Sequence, residues 1–212
     1  MDNVFQRKYK LATAILADVA DCAGGRLVLV GGTALALFYL QHRVSVDLDF
    51  VPLSGDAGEA AASPTSSNAA AFADETKHKE ALKGCLSKKG YRTQRARFSN
   101  QFIVQSEATS IKVEVFTPDE PVKKIEKRII GGGEVNVASL DDLLEMKTST
   151  YARRKKARDL FDVVAILLHS GKSMAMAEGL VKKHGVPQDA EELSQMSPDE
   201  KALAAFHKVI GK

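Results

Sequence analysis

Residues 26–51, RLVLVGGTALALFYLQHRVSVDLDFV, set two short apolar runs on either side of a glycine pair and a helical stretch. RLVLV at 26–30 has the continuous apolar character of a buried strand. Gly31 and Gly32 then make a turn, Thr33 is placed to cap a helix, and the helix continues from Ala34 to Gln41. VSVDLDFV at 44–51 alternates and carries β-branched residues, so it reads as a second strand. Asp47 and Asp49 share one face of that strand, about 6–7 Å apart at Cβ, and Leu48 takes the other. Two carboxylates this close repel unless a positive group sits with them. A divalent cation meets that need. Magnesium takes oxygen ligands, commonly one or two carboxylates plus substrate phosphates and water. The competing reading is a pair of acids on the exposed face of an edge strand or in a turn at its end.

The rest of the chain supplies more strands and then helices. Apolar positions at Leu11, Ile15, Leu16 and Val19 give residues 4–22 a helical period, stopped by Gly24-Gly25. A Ser, Ala, Gly and Pro-rich segment at 51–70 reads mostly as surface loop. A helix is expected over 70–89, then strands over 91–98, 101–107 and 110–117, and a short hairpin over 127–138 around Gly131-Gly132-Gly133. From Ser139, an N-cap followed by first-turn acids, the chain reads as helical to its end. The expected class is α+β: a mixed sheet with flanking helices over 1–138 and a C-terminal helical bundle over 139–212.

At 212 residues and 44% hydrophobic the chain can bury a core, and global disorder is excluded. A net charge of +3 permits a nucleic-acid or nucleotide partner without arguing for one. No apolar run approaches the ~20 residues of a membrane span, and MDNVFQRKYK lacks the apolar stretch of a signal peptide. A cytoplasmic location is therefore expected. Cys22 and Cys85 have no metal-site spacing and read as reduced thiols.

Three features accumulate around the paired aspartates. The Gly31-Gly32 turn between strand and helix offers backbone N–H groups to an anion. Ser45 lies two residues before Asp47. Glu114 sits within the apolar strand SIKVEVFT, sharing its face with Lys112 and Phe116. Asp47, Asp49 and Glu114 together make an acidic triad plausible, the third member ligating a second ion or taking the proton of an attacking hydroxyl. An anion-binding turn, a hydroxyl and metal-ligating acids outline a nucleoside-triphosphate site. No GxxxxGK[ST] occurs, so it is not a P-loop.

The pattern G-G-T-A, then R-x-S-x-D-L-D-F, resembles the DNA-polymerase-β-like nucleotidyltransferases, and within them the AbiEii/AbiGii toxin family. KTSTYARRKKARDLFD at 147–162 resembles that family's helical signature of Lys, Arg and a D-x-x-D-like pair. The resemblance implies Mg²⁺-dependent transfer of a nucleotide from an NTP to an acceptor hydroxyl. It assigns Asp47 and Asp49, with Glu114, to the metal, Lys147 to nucleotide phosphates, and Asp159 to support of activity. Gly31, Gly32, Thr33 and Ser45 are expected to cradle phosphates. Glu114 departs from the aspartate common at that position, which puts its role as base in question. The implied partners are an NTP, an RNA or tRNA acceptor and a cognate antitoxin. Basic clusters at 88–97, 123–128 and 153–158 suit RNA, although each also reads as a solvated face. With aromatics at 6% and no Trp, base-stacking platforms are few. The alternatives are a small-molecule transferase of antibiotic-modifying type, a non-catalytic binding protein retaining the fold, and a purely structural domain.

Overall fold

The structure, a computed structural model, describes residues 4–53, 68–106, 109–119 and 121–212. The described residues form two compact units. One comprises residues up to Val30 and Val46–Ala138; the other comprises Gly31–Ser45 and Ser139–Lys212.

The first unit contains seven strands: β1 (Leu27–Val30), β2 (Leu48–Pro52), β3 (Arg92–Arg95), β4 (Gln101–Ser106), β5 (Thr109–Val115), β6 (Ile125–Ile130) and β7 (Gly133–Ala138). They make a single sheet in the order β3-β4-β5-β2-β1-β7-β6. It is mixed: β2 runs parallel to β5 and β1 parallel to β7, while the other neighbours are antiparallel. Helices α1 (Val4–Ala23) and α3 (Asn68–Lys88) pack against it and against each other. The side-chain period of a strand explains the layering. Leu48, Phe50, Phe102, Val104, Ile111, Val113 and Val115 are buried, and the register sets Leu48 beside Val113, Phe50 beside Val115, and Phe102 across from Val113. Leu11, Ile15, Leu16 and Val19 of α1 are buried at the helical spacing read from the sequence.

The strand expected over 44–51 starts later, at Leu48. Val30, the last residue of β1, pairs with Asp49, so the β1–β2 ladder has no partner for residues upstream. Ser45 and Asp47 thus lie before the strand rather than in it. The segment expected as a surface loop falls mainly on 54–67, outside the described residues.

The second unit contains α2 (Gly31–Phe38), α4 (Leu140–Arg154), α5 (Ala157–His169), α6 (Ala175–His184), α7 (Ala190–Met196) and α8 (Glu200–Ile210). Helix α2 opens at Gly31, where φ is +75°, so Thr33 lies inside the first turn and is not the cap. Helix α2 packs on α4, and α4 on α5. Ser139 caps α4 as expected: its hydroxyl accepts the Asp142 N–H at 3.2 Å. Lys155, left-handed at φ 49°, ends α4, which separates Arg158 from the helix bearing Lys147, Tyr151 and Arg154. Buried Tyr151, Leu160, Phe161, Val164 and Phe206 form the core.

The cysteines correct a second expectation. They are not reduced thiols: Cys22 on α1 and Cys85 on α3 form a disulfide across the two packed helices, with Cα atoms 5.7 Å apart. Their separation of 63 residues hides the pairing from any local pattern. A cross-link closing a loop of that length stabilises by about 2–4 kcal/mol. Cys85→Ser is expected to lower the urea-unfolding free energy by that amount, and thiol titration of the unreduced, denatured wild type is expected to find no reactive thiol. Full titration of both cysteines with unchanged stability would contradict the bond.

Candidate active site

In the first unit the acids gather on the sheet face opposite the buried row. The register sets Gln101 of β4 beside Glu114 of β5, and Glu114 beside Asp49 of β2. Neighbours across a ladder point the same way, so an amide and two carboxylates line up on three adjacent strands. Asp47 stands one residue before β2, its side chain about half exposed.

Lys112 occupies the middle of this group. Its Nζ lies 3.3 Å from Asp47 Oδ2 and 3.6 Å from Glu114 Oε2. Burial opposes its charge, but the fields of Asp47, Asp49 and Glu114 outweigh burial and raise its pKa. Glu114 is fixed by two amides: Asn100 Nδ2 donates to Oε1 at 3.0 Å and Gln101 Nε2 to Oε2 at 2.7 Å. The structure therefore brings Asp47, Asp49 and Glu114 together, as expected, and adds Lys112, Asn100 and Gln101. An all-carboxylate donor set that already draws in an ammonium suits a hard divalent cation. Among the described residues no group of three or more acids, histidines or cysteines closes into a metal cage. Such a cation would rest on one or two of these carboxylates and complete its shell elsewhere.

In the second unit the remaining expected residues surround two fully buried carboxylates, Asp159 and Asp162. Asp162 accepts from Arg43 Nε at 2.6 Å, Arg43 Nη2 at 2.8 Å and His42 Nε2 at 2.7 Å, and Lys147 Nζ lies 2.7 Å away. Asp159 accepts from Arg154 Nε at 2.6 Å, Arg154 Nη2 at 2.9 Å and Lys147 Nζ at 3.2 Å. Burial pushes both acids toward protonation. The guanidinium of Arg43 and the ammonium of Lys147 reverse this at Asp162 and hold it well below the ordinary range. Arg154 and Lys147 do the same, less strongly, at Asp159. As a carboxylate Asp162 can only accept, so His42 carries its proton on Nε2. His42 also stacks on Phe161, ring centroids 5.6 Å apart.

The glycine pair feeds into this cluster. A Cβ on Gly32 would run into Arg43 Nη2 and come within 2.8 Å of Ser45 Oγ. Arg43 is the far end of a flexible chain, but its fork on Asp162 holds it in place. Thr33 is fully buried and donates to Ser45 Oγ at 3.1 Å. Gly31 and Ser45 keep accessible surface, and Gly32 and Thr33 do not. Lys147, expected to meet phosphates, is itself nearly buried against the two aspartates.

Residues 14–208 match the family described as nucleotidyl transferase AbiEii toxin, type IV toxin–antitoxin system. The chain belongs to the AbiEii nucleotidyltransferase family. It is an enzyme of the nucleotidyltransferase class. Among solved structures, JHP933 from Helicobacter pylori is similar at a TM-score of 0.58 and 19% identity, over 100% of this chain and 92% of that one. An antigenic nucleotidyltransferase-like protein from Paracoccidioides brasiliensis is similar at a TM-score of 0.50 and 15% identity, over 95% of this chain and 97% of that one. At these identities the likeness is one of fold. No curated protein matches the chain in sequence. Among the described residues of this AbiEii-family protein, no helix is long and apolar enough to cross a membrane.

Sequence reasoning passed over Arg43, Asp162 and Lys112 as site residues. Arg43 stood in plain view within R-x-S-x-D-L-D, but its partner lies 119 residues away. We expect Gly32→Ala to push Arg43 off Asp162 and cost about 2 kcal/mol, the scale of a lost charge-assisted hydrogen bond, read by urea unfolding. An unchanged midpoint would show that the fork is dispensable. A pH series tests the buried acids. Their folded pKa values lie below the unfolded value, so their stabilisation is complete above about pH 4. It is lost as pH falls from there through the depressed folded values. Asp162→Asn is expected to cost about 3–5 kcal/mol at pH 7 and to flatten the stability profile below about pH 4. A variant profile as steep as the wild type would remove Asp162 from the acid transition.

Proposed function

We propose that the protein transfers a nucleoside monophosphate from an NTP to an acceptor hydroxyl on RNA, with Mg²⁺ held by Asp47 and Asp49. The observation carrying this reading is the row of Asp49 and Glu114 on parallel neighbouring strands, with Asp47 at its end and Lys112 among them. A polar row of that kind serves no packing purpose on a sheet whose other face is apolar.

A bound divalent cation would neutralise charge at the α-phosphate and lower the pKa of the acceptor hydroxyl. The chain's own residues do the rest. Asp47 and Asp49 would hold the cation. Glu114, its two oxygens oriented by Asn100 and Gln101, ligates or receives the hydroxyl proton; both oxygens retain a lone pair beyond the amide bonds. The bond to the acceptor oxygen forms as the α–β phosphoanhydride breaks, and pyrophosphate leaves in line. Lys112 offsets part of the negative charge of the three acids. In the second unit we assign Gly31, Gly32, Thr33 and Ser45 to phosphate binding. Ser45 is the accessible hydroxyl and Thr33 its support. Lys147 supplies positive charge that stabilises the developing phosphate charge, and Asp159 fixes its ammonium. The family description supports a toxin role and an antitoxin partner.

The experiment is a transfer assay with purified protein, Mg²⁺, each α-labelled NTP in turn and total tRNA, comparing wild type with Asp47→Ala/Asp49→Ala. Wild type is expected to label RNA with one preferred nucleotide. The double variant is expected to lose transfer by at least about a hundredfold while melting cooperatively, since Asp47 is half exposed. Full activity in that variant would dismiss the metal platform. Label on a small-molecule acceptor, and none on RNA, would move the acceptor class.

A further inference from the structure

The acid row continues into an exposed turn. Residues 96–100 join β3 to β4, and the Gln101 N–H closes the turn on the Phe98 carbonyl at 3.1 Å. Asn100 and Gln101 hold Glu114, the Asn100 carbonyl accepts the Val115 N–H at 3.0 Å, and Lys79 Nζ donates to the Ser99 carbonyl. The turn is therefore fixed to the strand that carries the acid. Phe98 stands two residues from Asn100, within about 7 Å along the chain, and is 56% exposed. The Arg97 guanidinium lies over its ring, 5.4 Å from the centroid. Arg95, the last residue of the edge strand β3, is exposed where the strand enters the turn. From Ala81 to Ser106 the sequence has no acidic residue.

Charge alone on β3 has a simple explanation, since edge strands use it to discourage pairing. An exposed phenylalanine works against that purpose. An aromatic ring with a guanidinium over it, at the end of a basic strand, is what an unstacked base and its phosphates need.

We propose that the Arg97–Phe98 turn is a stacking platform for the single-stranded end of a nucleic-acid acceptor, with Arg95 and Arg97 on its phosphates. The proposal rests on the transferase reading, because it delivers that end toward the acid row. Phe98 takes a base on its ring; Arg97 adds charge and cation–π contact.

The test uses the full chain and a fluorescein-labelled single-stranded RNA decamer of mixed sequence, read by anisotropy over a salt series. Phe98→Ala is expected to weaken binding about tenfold with an unchanged melting temperature, and Phe98→Trp to restore it. Arg97→Ala is expected to lower the slope of log affinity against log salt by about one. In the transfer assay Phe98→Ala should raise KM for RNA and leave KM for NTP unchanged. Equal decamer binding by wild type and Phe98→Ala overturns the platform, as does failure of Phe98→Trp to restore it. So does wild-type protein that ignores the decamer, or a poly-glutamate peptide that competes as well as RNA of equal charge. The two readings fail separately. Phe98-dependent binding without transfer keeps the platform and sinks the acceptor reaction. Transfer with an unaltered KM for RNA in Phe98→Ala does the reverse.

Discussion

The parallel pairing of β2 with β5 sets Asp49 directly beside Glu114, and the first unit is organised around that register. The same pairing buries Leu48 and Phe50 against Val113 and Val115. Full burial of such side chains is worth roughly 1.5–3 kcal/mol each. A one-residue slip of either strand would turn its acids toward the helices and its apolar residues out. Core packing therefore positions the carboxylates without any contribution from them. Their mutual repulsion is met by Lys112, whose raised pKa records the field of all three acids.

The second unit solves a harder electrostatic problem. Two carboxylates are fully buried there, which is costly unless each is paired and hydrogen-bonded. Arg43, Lys147 and Arg154 supply three positive charges against the two acids, and His42 adds a further hydrogen bond. Lys147 bridges both acids, so its ammonium is fixed in position rather than free to sample rotamers. Gly32 belongs to the same arrangement: the space a side chain would take is occupied by Arg43 and Ser45.

Local chemistry was legible in the sequence and long-range pairing was not. Alternation in VSVDLDFV and SIKVEVFT placed Asp49 and Glu114 on polar faces, because a strand has a fixed period of two. The Ser139 cap followed from its spacing to the first-turn acids. The start of β2 was missed because it depends on where β1 runs out, which VSVDLDFV does not encode. Thr33 was read as a cap because glycines suggest a turn, yet Gly31 at φ +75° starts the helix itself. The Cys22–Cys85 bond and the Arg43–Asp162 fork join residues 63 and 119 positions apart, beyond any periodicity. The 147–162 motif contained Lys147, Arg154, Asp159 and Asp162 but did not show that Asp162, rather than Asp159, gathers the most partners.

The scarcity of aromatic residues gives Phe98 its weight. In a chain with 6% aromatics and no Trp, Phe50, Phe102, Phe161 and Phe206 are spent on the core. Phe98 is instead held in the open by a turn whose next residues grip Glu114. Folding gains little from an aromatic left in water, and the basic strand leading to it repels cations and attracts phosphates. The turn is rigid because its backbone and side-chain bonds converge on β5. A platform on a rigid turn loses little entropy when a base stacks on it, which favours placing an end over retaining a long strand.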